Sequence, residues 1–323
     1  MKVVLIAALI LALALPITAA NLTAVSGYSV SETNLGAGKF VRGLDVLPNG
    51  NFVVLEGSNP DAFGNELTKL YQMQPDGTKV GSDLYTFESN IFGSFVKTAP
   101  DGKIYFGESS NGTIQRINLD STGLTSVATV SYNYDFAFNN LGQQYVVSNP
   151  SWASSNIHLL NGSDMDMIVD AASTYSGPMA FDAAGNMFYG TSGNAGGQSL
   201  IKWSAAQVAG AIGTSTLAPG DGSALATGLN GISGLASYGT DLIFSTNAWV
   251  GPYKLMRYSG GAVSEIATGN AWLGTVRVNS ATGAITVAMD NKIETLTAAV
   301  PEPCSLLVLT LGLSGLTAFR RKR

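Results

Sequence analysis

One pattern recurs along this chain: a short apolar strand, a turn centred on glycine, then a second apolar or aromatic strand. It occurs over Gly43 to Gly57, Ser94 to Ser109, Asp135 to Asn149, Pro178 to Ser192, Gly234 to Asn247 and Leu273 to Asp290. The turn glycines are Gly50, Gly102, Gly142, Gly185, Gly239 and Gly283, separated by 52, 40, 43, 54 and 44 residues. Asn49-Gly50 and Asp101-Gly102 are strong hairpin signals, because both residue types tolerate positive φ. A period of this length restricts the fold more than any composition does, since each repeat must bury its faces against its neighbours.

A third strand follows each hairpin: Leu67 to Met73, Thr113 to Leu119, Asn156 to Leu160, Leu200 to Ser204, Lys254 to Tyr258 and Lys292 to Thr297. A weaker fourth follows most of them, at Ser82 to Phe87, Leu124 to Val130, Asp166 to Asp170, Leu225 to Thr227 and Val263 to Thr268. Four antiparallel strands per repeat, six times over, predict an all-β, six-bladed β-propeller over residues 21–299. The rival folds are a β-sandwich and a seven-bladed ring with one degenerate repeat. A sandwich gives no reason for six hairpins with the same turn chemistry. The sixth repeat ends near Ala298 with three strands, and Leu22 to Val30 is predicted to supply its fourth and close the ring. The one helix-forming segment is Ser204 to Ile212, inside the long fourth repeat.

Residues 1–20 read as a signal peptide: Lys2, an apolar run from Val3 to Leu15, then Pro16 and the small residues Ala19 and Ala20. At the other end, residues 300–323 carry Pro301-Glu302-Pro303, an apolar run from Cys304 to Phe319, and the cations Arg320, Arg321, Lys322 and Arg323. Such a run with a basic end reads as a C-terminal transmembrane helix held on the cytoplasmic side by its charges. The tail resembles the PEP-CTERM sorting signal. That resemblance implies recognition by an exosortase through Pro301, Glu302 and Pro303, membrane anchoring before processing, and delivery to the cell surface or extracellular matrix. Cys304, the only cysteine, lies beside the motif as a possible modification site, so the domain between has no disulfide available.

The whole chain carries 17 Lys and Arg against 22 Asp and Glu, for a net charge of −5. Without Lys2, Glu302 and the four terminal cations the remainder stands at about −9. No basic footprint for nucleic acid exists.

Catalytic residue types are scarce. His158 is the only histidine and sits between Ile157 and Leu159 in a third strand. No catalytic residue is assigned, and a binding or structural role in the matrix is favoured over catalysis. The hairpins, best at Gly177 to Gly190, resemble NHL and gluconolactonase-type repeats. The latter resemblance implies the alternative, a metal-dependent lactonase holding a divalent cation such as Ca²⁺ in the central channel. The channel-facing residues are expected at the starts of the innermost strands: Arg42, Gly43, Ser94, Asp135, Pro178, Gly234 and Leu273 or Gly274. Asp135 is the only carboxylate among them and thus the candidate metal ligand, and the family's opening Glu has no counterpart at Gly43. Otherwise no cofactor is implied. Glu56, Glu108, Asn149, Asn247 and Asp290 recur after second strands, either as a ring of ligands or as side chains bonding the next connection. The long connections all follow second strands and are expected on one face. Trp152 and Trp249, flanked by Asn149, Asn156 and Asn247, are the candidate anchors there for extracellular polysaccharide. Trp203 and Trp272 are the other two tryptophans.

Overall fold

The computed structural model describes residues 21–299 except 59–65, 89, 110, 151–153, 163, 194–195 and 249. The signal peptide, the tail with Pro301, Glu302, Pro303 and Cys304, and both Trp152 and Trp249 lie outside the described residues. Among the described residues no helix is long and apolar enough to cross a membrane.

Six antiparallel sheets form the six blades of a propeller. Their innermost strands are Lys39–Val46, Gly93–Thr98, Asn133–Phe138, Met179–Phe181, Gly231–Tyr238 and Val276–Val278, here numbered blades one to six. All six predicted turn glycines adopt positive φ, between 60° and 87°. At Gly50 and Gly102 the side chains of Asn49 and Asp101 also accept from the backbone amides of Asn51 and Lys103. Turn chemistry written in the sequence therefore sets each hairpin register. The second strands, such as Ile104–Glu108 and Ile285–Met289, are buried along their whole length. They read as continuous apolar runs because each blade is covered on both faces.

The core is divided accordingly. Six apolar clusters lie one at each junction between neighbouring blades. Near the axis the innermost strands approach closely. A Cβ on Gly43 would stand 3.0 Å from the Val96 amide nitrogen. In blade four the predicted helix forms at Ala205–Ala211, with Ser204 as N-cap and Gln207 completing a capping box.

Ring closure uses the N-terminal segment, but not over the predicted span. Tyr28–Asn34 pairs with Lys292–Ala298 as the outer strand of blade six. Leu22–Ala24 instead adds a fifth strand to blade five. Gly27, at φ 95°, turns the chain between the two. Glu294 holds the start of the segment, its carboxylate accepting from the Asn21 and Leu22 amides at 2.6 and 2.8 Å. One segment thus staples two blades together rather than completing one.

Candidate functional site

The central channel has an upper mouth, where the innermost strands begin, and a lower cavity, where they end. The upper mouth encloses about 280 Å³ and is lined by Arg42, Ser94, Asp135, Pro178, Gly234 and Gly274, as the repeat pattern predicts. Tyr134 and Trp272, which the pattern did not single out for the channel, join them.

Charges at this mouth are already matched. The Arg42 guanidinium forms a two-pronged ion pair with buried Glu66, and its face lies over the rings of Phe40 and Phe92 at 5.3 and 5.7 Å. Asp135 accepts the Met179 amide at 2.8 Å on one oxygen and faces Arg277 at 3.8 Å on the other. Asp135 thereby bonds to the neighbouring blade. This donor set does not fit a divalent cation: the one carboxylate at the strand starts is engaged by the Met179 amide and faced by the Arg277 guanidinium. No group of three or more potential metal-ligating His, Cys, Asp or Glu side chains occurs among the described residues.

The side chains that follow second strands mostly bond within the fold. Asn247 is buried and donates to Ser233 Oγ and the Leu273 carbonyl while accepting the Leu273 amide. It ties blade five to the entry of blade six. Asn149 donates to the Thr174 carbonyl at 3.2 Å, and its side-chain oxygen has no hydrogen-bond partner among the described residues. Glu56 accepts from Tyr71 at 2.6 Å and Lys39 at 3.1 Å. Glu108 accepts from Gln115, and burial raises its pKa. His158 is partly buried on a third strand, and burial holds its imidazole below the ordinary range. Trp203 is wholly buried and donates to the Ala218 carbonyl.

Exposed aromatic rings gather instead on the connections that enter the innermost strands. Phe92, Tyr175 and Trp272 are 42, 46 and 42 % exposed, and Tyr134 is 36 % exposed. They precede or begin the innermost strands of blades two, four, six and three. Protein surrounds the Tyr134 phenol although its ring opens to the mouth. Burial, then Asp135 and Tyr189, push its pKa up.

The lower cavity is larger, about 730 Å³, and opens among the short hairpin turns. Strand register puts Asp45, Lys97, Ala137, Ala180, Ala236 and Arg277 at one level, opposite Val53, Tyr105, Tyr145, Phe188, Ile243 and Thr286. All six line the cavity. Blades six, one and two contribute the charges, and blades three, four and five the alanines, so the wall is polar on one half and apolar on the other. Arg277 reaches Asp45 of the adjacent blade at 3.3 Å and Asp135 across the axis, and lines both cavities. Asp45 also accepts the Thr98 amide at 2.5 Å. This level was not anticipated from the sequence. The available signal was an ionisable residue between apolar neighbours in an innermost strand, as in Leu44-Asp45-Val46 and Val276-Arg277-Val278.

No family model matches the chain, and no curated protein matches it. Among solved structures it is similar to a gluconolactonase from Xanthomonas campestris, at 11% identity over 85% of this chain and 91% of that one, TM-score 0.63. A luciferin-regenerating enzyme is similar at 10% identity over 83% and 95% of the two chains, TM-score 0.57. A chain of a nidogen/laminin complex is similar at 12% identity over 75% and 93%, TM-score 0.53. At such identities the likeness is one of β-propeller fold, shared by proteins with different activities.

Proposed function

We propose that this protein is an exported surface or matrix propeller that binds extracellular polysaccharide at its upper mouth. It would reach that place through its signal peptide and through exosortase processing of the tail at Pro301-Glu302-Pro303. The observation that carries the binding reading is the set of exposed rings on four of the six entries to the innermost strands. Flat aromatic faces pack against the apolar faces of sugars, and a rigid scaffold holds such loops in place. Ser94, Arg42 and Asp135 supply polar groups beneath them. The net charge of about −9 between the targeting segments favours neutral over acidic chains.

A Trp272→Ala, Tyr175→Ala variant tests this against immobilised neutral polysaccharides. Its affinity should fall roughly tenfold or more while the near-ultraviolet dichroism of the fold persists. Unchanged binding would place the site elsewhere. The intact mass of secreted protein should show both ends removed, and a secreted chain retaining Arg320 to Arg323 would sink the processing proposal.

The lactonase alternative requires carboxylates free to hold a cation at the mouth, where Asp135 and Glu66 are already engaged. Lactone turnover that depends on both Ca²⁺ and Asp135 would overturn the binding reading in its favour.

A further inference from the structure

One cation of the lower cavity stands without a close partner. Thr98 Oγ1 is enclosed in the wall without a hydrogen-bond partner among the described residues, and Arg277 Nε lies 3.3 Å from Asp45 Oδ1. Among the described residues Lys97 makes no ion pair within 4.0 Å: Asp45 is engaged by the Thr98 amide and Arg277, and Asp135 by the Met179 amide and Arg277. Lys97, with Asp45 and Arg277 beside it, therefore lines one side of a space of about 730 Å³. Opposite them stand Ala137, Ala180 and Ala236, and Leu119 sits at the rim, 38 % exposed. The volume lies within the range of small-ligand pockets, where an apolar wall carries the area and a few polar groups fix orientation.

We propose that the lower cavity binds a small amphiphilic monocarboxylate, its carboxylate on Lys97 and its apolar body along the alanine wall. The close partner that Lys97 lacks selects this class. Asp45 and Asp135 repel any anion, and a dianion such as phosphate about twice as strongly as a monoanion, so a single charge is preferred. A carboxylate also presents acceptor oxygens to the three N–H donors of the ammonium. Burial and the Arg277 charge, opposed by Asp135 and Asp45, bring the Lys97 ammonium down to about 8. A bound carboxylate supplies a counter-charge in direct contact and favours the protonated form. This site is at the opposite end of the channel from the aromatic mouth and is independent of polysaccharide binding.

Calorimetric titration of the purified protein with octanoate tests the proposal, with octan-1-ol and inorganic phosphate as comparators. Octanoate should bind at one saturable site at pH 7, with both comparators weaker by about tenfold or more, as expected when a charge-assisted hydrogen bond is lost. Affinity should decline toward pH 9, as Lys97 gives up its proton. Lys97→Met should weaken octanoate by about tenfold or more and remove that pH dependence. Leu119→Asp, a change at the exposed rim that leaves the interior intact, should also weaken it, whether or not the first variant folds. Absence of octanoate binding at millimolar concentration, equal binding of octan-1-ol, or undiminished binding in the variants would overturn the proposal. The Trp272→Ala, Tyr175→Ala variant should bind octanoate as the parent does, so the two ends fail or succeed separately.

Discussion

The two ends of the channel are built from the same six strands and differ in nearly everything else. The upper mouth receives connections of varied length, which bring their own side chains: Phe92, Tyr134, Tyr175 and Trp272 on the rim, and Glu66 to lock Arg42. The lower cavity is bounded by tight glycine turns that carry little bulk. Its chemistry is therefore that of the innermost strands themselves, at Asp45, Lys97 and Arg277. At the top Arg42 and Asp135 have close partners, while at the bottom Lys97 has none within 4.0 Å among the described residues. A propeller can thus place recognition in variable loops at one end and in strand positions at the other, without altering the blades between them.

The largest effect should come from breaking what both ends share. Deleting residues 21–34 removes the outer strand of blade six, the added strand of blade five and the amides held by Glu294. Exposing two strand edges and their apolar faces should cost about 5 kcal/mol or more and abolish binding at both ends. A truncated protein that melts with the parent would show that the ring closes without this segment.

Next in size is an upper-end change. Arg42→Ala leaves the Glu66 carboxylate buried without its partner. Denaturant unfolding should register a loss of about 2–4 kcal/mol, largely recovered when Glu66→Gln is added. The lower cavity should keep its ligand, and a parallel loss there would mean that the two ends are coupled through the ring.

A lower-end change should have the opposite sign. The Lys97 ammonium has a folded pKa of about 8 against an ordinary value of 10.5. Between those values the unfolded chain binds more protons, so stability from this group rises with pH across that window. Below it the buried charge is a constant cost. Lys97→Met should therefore raise stability at pH 7 by about 2 kcal/mol, with the advantage fading as pH approaches 10.5. A variant less stable than the parent at pH 7 would show that the ammonium is matched after all.

The smallest effect on stability belongs to the rim. Trp272 and Tyr175 are 42 and 46 % exposed. Their joint replacement by alanine should shift unfolding by about 0.5 kcal/mol or less, whatever it does to polysaccharide binding. A large drop in melting temperature would make them part of the core and weaken the binding argument.

Much of this was legible in the chain. The third strand Leu67–Met73 was read to the residue, and the helix at Ala205–Ala211 falls inside the segment read as helical. Of the expected channel-facing positions, Arg42, Ser94, Asp135, Pro178, Gly234 and Gly274 line the upper mouth, whereas Gly43 packs against the Phe95 and Val96 backbone of blade two. The N-terminal strand was recognised as the closure, but its partition between blades five and six was not. That choice rests on the bend at Gly27 and on the reach of Glu294 across 272 residues of sequence. Asn247 looked like a loop ligand because a polar residue after a strand has two uses, and only its distance to Leu273 in the neighbouring blade separates them.

What the sequence determined by itself is local: the hairpin registers, through glycines that accept positive φ, and the doubly covered strands, through unbroken apolar runs. Blade number followed from repetition of those local rules. What tertiary structure alone decided is the meeting of residues from separate repeats. Asp45, Lys97, Asp135 and Arg277 come from four different blades and converge only once the ring has closed. In the sequence each looks like a lone ionisable side chain within an innermost strand. Its energy depends on distances to charges in other repeats, which local patterning along one strand does not encode.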